Sequence, residues 1–185
     1  MKHRHLVFAV IAQLFYVGAQ AGIWGITIDY VIDILPGTSK EEASQKYLLI
    51  GTSLFVGGRA IGTLLLTFVK DHRLLTAYAG AAALCCLGGV FAEGMTAVYS
   101  ILAVNFFMSI MFPTIFALGV KNLGEFTKLG SSFIIMAIVG GAILPPIMGY
   151  LAASVGIQQS FLLPAICFLV VVVYGWKGYN AAPAR

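Results

Sequence analysis

Four polar side chains stand on one stripe of an otherwise apolar run: Gln13, Tyr16, Gln20 and Trp24, spaced by 3, 4 and 4 residues. That spacing keeps them on one face of an α-helix. Their chemistry is recognition rather than reaction. An amide donates and accepts at once, a phenol does both through one oxygen, and an indole donates from an aromatic body. A bare amide turned towards hydrocarbon is costly, so the stripe is expected to face protein or a water-filled cavity. A second set, Asn105, Ser109 and Thr114, occupies a later apolar run, and Arg59 is an ionisable residue set deep inside another. Catalytic groupings do not stand out. His3, His5 and His72 lie at the ends of apolar runs, where they read as surface charges, and no nucleophile–base pair or metal cluster falls inside a run. The chain is therefore not read as an enzyme, and neither a cofactor nor a metal ion is expected.

The elements that position these residues are membrane helices. Of 185 residues, 60% are apolar and 10% are charged, against about 25% charged in an ordinary soluble domain. Mean hydropathy is +0.96. A soluble fold cannot cover itself with so few charges, and the strands of a membrane barrel would alternate polar and apolar residues, which these runs do not. The fold class is all-α, an integral membrane six-helix bundle. The net charge of +4 is read as basic loops on one membrane face, with no nucleic-acid partner.

The first run, from Leu6 to about Ile34, follows the basic start MKHRH. It is roughly twice the apolar core of about 7–15 residues in a signal peptide, so it reads as a span. A polar loop from Leu35 to Lys46 follows, with Ser39 and Glu42 spaced as a capping box. Five more spans are expected, over about Tyr47–Val69, Leu74–Ala92, Ala97–Val120, Leu129–Ala153 and Phe161–Trp176. Each is close to the roughly 20 residues that cross a bilayer. The six-helix bundle takes residues 1–178, and 179–185 are expected to form a short, disordered cytoplasmic tail. An even number of spans puts both ends on one side. Eight basic residues, from Lys2 to Arg185, then share that side, and Lys40 and Lys46 lie opposite. The bias predicts cytoplasmic termini. Cys85, Cys86 and Cys167 fall inside spans and read as reduced packing residues.

Phe106 to Tyr150 is the most informative stretch. It reads as two apolar helices with interior breakers, Pro113 in the first and Gly140, Gly141, Pro145, Pro146 and Gly149 in the second. Membrane helices tolerate such residues because neighbouring helices re-satisfy the freed backbone groups. Paired, interrupted segments of this kind point to transporter architecture. The second and fifth spans also echo each other, with Gly51-Thr52-Ser53-Leu54-Phe55 before Val56-Gly57-Gly58, and Gly130-Ser131-Ser132-Phe133 before Val139-Gly140-Gly141. An inverted three-plus-three repeat would leave this trace. Gly58 and Gly62 are spaced for close helix approach.

The strings AQLFYVGAQAGIWG, GGRAIGT, FMSIMFPTIFALGVKNLG and TKLGSSFIIMAIVGGAILPPIMG resemble, in order and over nearly the whole chain, the C-terminal half of the fucose permease family. These are fucose/glucose/galactose–proton symporters of the major facilitator superfamily. The resemblance implies a twelve-helix carrier of two six-helix halves, with a sugar site between them and import by alternating access. It implies residence in a bacterial inner membrane, with the lipid bilayer and a sugar (fucose, glucose, galactose or similar) as partners. Gln13, Tyr16, Gln20, Trp24, Asn105, Ser109 and Thr114 are then candidate sugar contacts, by hydrogen bonds to hydroxyls and by stacking on C–H faces. Arg59 reads as a structural intramembrane charge, bonded to backbone carbonyls or to an Asn or Gln. The chain departs from the family pattern at Asp29, where a basic residue is usual, and at Met111-Phe112, where Gln-Tyr is usual, which leaves the sugar open. All seven acids fall in loops or near span ends, so the proton-coupling carboxylate is expected on a missing N-terminal half. A fragment, one half of a split transporter and a homodimer each fit this reading. A non-transporting membrane scaffold or binding module is the alternative.

Overall fold

The structure, a computed structural model, describes residues 4–179. Lys2, His3, Arg185 and the tail from 180 onwards lie outside the described residues. Six helices are long and apolar enough to cross a membrane: α1 Arg4–Ile34, α2 Lys40–Leu66, α3 Asp71–Phe91, α4 Gly94–Val120, α5 Gly124–Val155 and α6 Ile157–Gly178. No strand occurs among the described residues. The chain is an all-helical integral membrane bundle.

Two helices start earlier than the hydropathy suggests. The Ser39 hydroxyl accepts from the Glu42 N–H at 3.1 Å, and no Gly or Pro follows before Gly51 to stop the helix it starts. The polar loop is therefore shorter than expected, and α2 passes through a wider-turned stretch, Ala43–Leu48, into its apolar body. At α5, Asn122 and Gly124 adopt φ of 59° and 56°, and this left-handed corner lets the helix begin directly behind α4.

Helix α1 is the axis of the bundle. It packs against α4, α5 and α6, while α3 packs against α4 and α6, and α2 lies on α4. Tyr16, Ile23, Tyr30, Leu75, Ile101, Phe161 and Phe168 fill the centre, each less than 2% exposed. Glycine sets the tightest crossings. A Cβ on Gly140 would strike the Leu14 carbonyl oxygen of α1, and one on Gly58 would strike the Phe106 carbonyl oxygen of α4. Cys86 and Cys167 are buried free thiols and Cys85 is half-buried. His5, expected at the surface, is instead buried, with its ring Nε2 3.0 Å from the Lys121 carbonyl oxygen at the end of α4. The ring closes an otherwise open helix end.

The prolines act where the spacing places them. Pro113 has no N–H for the Ser109 carbonyl four residues back, and the helical hydrogen-bond pattern of α4 is interrupted at Ser109–Ile110, which keep right-handed dihedrals. Helix α5 tightens over Ala137–Val139, ahead of Pro145 and Pro146. Burial is uneven. In the most apolar windows of α2 and α5 only 17% and 28% of residues are buried, against 44–61% in the other four. Leu49, Val56, Leu64, Ile135 and Met136 all point outward from these two helices, more than half exposed.

Candidate functional site

The α1 stripe divides along its length. Gln13 and Tyr16 are fully buried, Gln20 is half-buried, and Trp24 is 47% exposed. The Tyr16 hydroxyl donates to the Met108 carbonyl at 2.9 Å, one residue before the break in α4. Neither polar atom of the Gln13 amide has a hydrogen-bond partner among the described residues. The Gln13 amide is thus enclosed by the surrounding helices.

Trp24 reaches a cavity. Its indole N–H donates to the Asn105 Oδ1 at 2.8 Å, and the Asn105 amide nitrogen donates to the Leu102 carbonyl at 3.1 Å. Both side chains wall a cavity of about 330 Å³ between α1, α2 and α4, completed by Thr27, Tyr47, Thr52 and Phe55. That volume lies at the small end of ligand pockets, which run from about 300 to 1,000 Å³. The wall is mostly aromatic and apolar, with a few fixed polar groups, the composition that orients a small polar ligand with apolar faces. The Trp24 and Phe55 rings meet edge to face, with centroids 5.5 Å apart.

Phe55 ties the cavity to the break in α4. The Arg59 guanidinium carbon lies 5.2 Å over the Phe55 ring. Its Nε and Nη2 both donate to the Ser109 carbonyl, at 3.2 and 3.1 Å. This is the carbonyl that Pro113 leaves without a helical donor. Arg59 supplies from α2 what the proline removes, while Tyr16 holds the neighbouring carbonyl from α1. Asn105, Trp24, Phe55, Arg59 and Ser109 thus form one continuous string of contacts.

Of the seven residues singled out from sequence as ligand contacts, the cavity wall contains Trp24 and Asn105. Ser109 and Thr114 are buried and spend their hydroxyls on the Phe106 and Ile110 carbonyls, both at 2.7 Å. Met111 is fully buried. Tyr47, Thr52 and Phe55 were not read as ligand contacts in the sequence, although Leu48, Thr52 and Phe55 share one helical face by their spacing. Asp29, Asp33, Glu41, Glu42, Asp71, Glu93 and Glu125 are all exposed, at helix ends or in turns.

No family model matches the chain. It is 43% identical over 173 residues to the L-fucose-proton symporter of Escherichia coli K12, covering 92% of this chain and 39% of that protein. It is 36% identical over 178 residues to the glucose/galactose transporter of Brucella abortus, covering 96% and 43%. The major facilitator superfamily transporter FucP, in its outward conformation, superposes with a TM-score of 0.92 at 41% identity, over 95% of this chain and 42% of that one. The chain is a six-helix half of a major facilitator superfamily fold. Its sequence is similar to those of a fucose–proton symporter and a glucose/galactose transporter, and it spans about two fifths of the length of the relatives it matches, 39% and 43% of the two named. Helices α2 and α5, whose glycine clusters echo each other in the sequence, are the two that bury least.

Proposed function

We propose that this chain is the C-terminal half of a sugar:proton symporter, importing L-fucose or a related hexose by alternating access. The Trp24–Asn105 pair in its aromatic cavity is the observation that carries the reading. The Trp24 and Phe55 faces offer stacking surfaces for sugar C–H groups, and Asn105 and Thr52 offer hydrogen bonds to hydroxyls. The names of the relatives, L-fucose-proton symporter and glucose/galactose transporter, give the substrate class. Gln20, one turn from Trp24, extends the polar path towards the buried Gln13. Arg59 serves the backbone of α4.

Proton coupling belongs to a second six-helix half. All seven acids of the chain sit at helix ends or in turns, and the outward-facing apolar surfaces of α2 and α5 offer the area that such a half would cover. The bias of Lys and Arg to one face supports cytoplasmic termini, and the bacterial sources of the relatives support a bacterial inner membrane. This reading makes the chain a carrier component and not an enzyme.

Labelled-fucose and labelled-glucose uptake tests it, in cells expressing this chain alone and with the N-terminal half of a fucose–proton symporter. Uptake is expected only in the paired cells and is expected to collapse with a protonophore. Trp24→Ala and Asn105→Leu are each expected to reduce paired uptake by about fivefold to a hundredfold, because a site built on a few fixed polar groups loses about 1–3 kcal/mol when one is left unmatched. Protonophore-sensitive uptake by this chain alone would overturn the incomplete-half reading, and unchanged paired uptake in both variants would remove the cavity from it.

A further inference from the structure

At the other end of the bundle from Trp24, a second groove of about 570 Å³ runs between the start of α1 and the end of α6. Its walls are hydrocarbon: Phe8, Ile11, Val170 and Val173. Phe8, Ile11 and Val173 are 44%, 41% and 59% exposed, so the groove opens sideways, where a span meets the bilayer. Arg4 and Lys177 stand at its rim, both exposed. No acidic side chain is among the lining residues. Tyr174 also lines the groove, and its buried hydroxyl has no hydrogen-bond partner among the described residues. Beside the rim, Trp176 is 67% exposed, with the Lys177 Nζ 4.9 Å over its ring. An exposed Trp paired with a Lys marks the headgroup level of a membrane.

We propose that this groove holds one anionic phospholipid of the surrounding leaflet. The occupant follows from the two-part chemistry. Arg4 presents a planar fork that matches phosphate oxygens, and Lys177 adds a mobile point charge. Below them, the apolar wall runs along the helices in the direction an acyl chain takes. A basic rim above a hydrocarbon groove between membrane helices selects a headgroup of net negative charge over a zwitterionic one. The proposal stands independently of the sugar reading, because it requires only that the helices span a bilayer.

The chain has two tryptophans, so Trp24→Phe leaves Trp176 as a single reporter beside the groove. In bilayers of phosphatidylcholine with a minor share of phosphatidylglycerol, bromine is placed on the acyl chains of one lipid or the other. Per brominated lipid, quenching of Trp176 is expected to be about threefold stronger when phosphatidylglycerol carries the bromine. Combining Arg4→Gln with Lys177→Gln is expected to abolish that preference. Val170→Phe, which fills the wall and keeps both charges, is expected to weaken it. Equal quenching by the two lipids overturns the proposal, as does a preference that survives the double charge variant. A preference untouched by Val170→Phe also overturns it, because the charges would then act without the groove. Recovery of Trp176 emission on adding inorganic phosphate would assign the rim to a free anion instead, and absence of quenching by either lipid would assign the groove to protein.

Discussion

Arg59→Met is expected to destabilise the bundle by about 1–3 kcal/mol, the cost of leaving a buried carbonyl unsatisfied, and Pro113→Ala is expected to restore part of that loss. The reason is positional. The Ser109 carbonyl lacks a helical donor because residue 113 is proline, and Arg59 fills the gap with two N–H groups at 3.2 and 3.1 Å. An alanine at 113 returns an N–H to the helix, and the guanidinium then becomes dispensable. The double variant should therefore lie closer to wild type than the sum of the singles predicts. The coupling is expected to fall within the range of about 0.5–3 kcal/mol seen for residues sharing one partner. Unfolding of the purified chain in mixed micelles, followed by near-ultraviolet circular dichroism, measures all four corners of this cycle. Strict additivity would show that Arg59 serves something other than the broken backbone. The variant removes both the charge and the bonds, and the loss is assigned to the bonds because the Arg59 side chain is exposed in this half.

Gly140→Ala is expected to be the most damaging single-methyl change in α5. A Cβ there meets the Leu14 carbonyl oxygen, and backbone cannot swing aside as a side-chain tip can. Helices α1 and α5 would have to separate along their contact, and forced overpacking of this kind costs about 1–3 kcal/mol or more. Two controls lie in the same family of helices. Cβ atoms added at Gly57 and Gly149 meet nothing within 4 Å, so Gly57→Ala and Gly149→Ala should leave the stability of the isolated chain unchanged or slightly raised. Recovery of monodisperse protein after heating in detergent separates the cases. A Gly140→Ala chain as robust as the two controls would mean that α1 and α5 do not meet at Leu14.

These two sites also show what was legible beforehand. Pro113 and Gly140 are visible as breakers in any reading, and the tolerance of membrane helices for such residues predicts that neighbours repair the damage. Which neighbour does so depends on helix packing, which sequence spacing does not encode. Arg59 was expected to bond a backbone carbonyl or an amide, and it takes the Ser109 carbonyl. The polar stripe on α1 was legible because one helix carries it. The cavity was only half legible because three helices share it, and a search for polar residues passes over Phe55 and Tyr47. Ser109 and Thr114 look like ligand groups in the sequence, yet in apolar surroundings a hydroxyl bonds the carbonyl of its own helix first. His5 misled for a related reason: a basic residue near the end of a span reads as surface charge until a helix terminus is found to need it. The six helices were the easiest inference, since a bilayer demands a length and a composition at once.

The bond between the Trp24 indole and Asn105 gives the cavity a built-in optical signal. A sugar hydroxyl that competes for the Asn105 oxygen weakens or displaces the indole N–H bond there, and indole emission changes with the polarity and hydrogen bonding around that group. Titrating monosaccharides against the intrinsic fluorescence of the Trp176→Phe chain would rank the candidates without a radiolabel, a proton gradient or a vesicle. The spectrum would follow a population of broken and intact pairs, so a sugar that binds elsewhere on the surface would leave it unmoved.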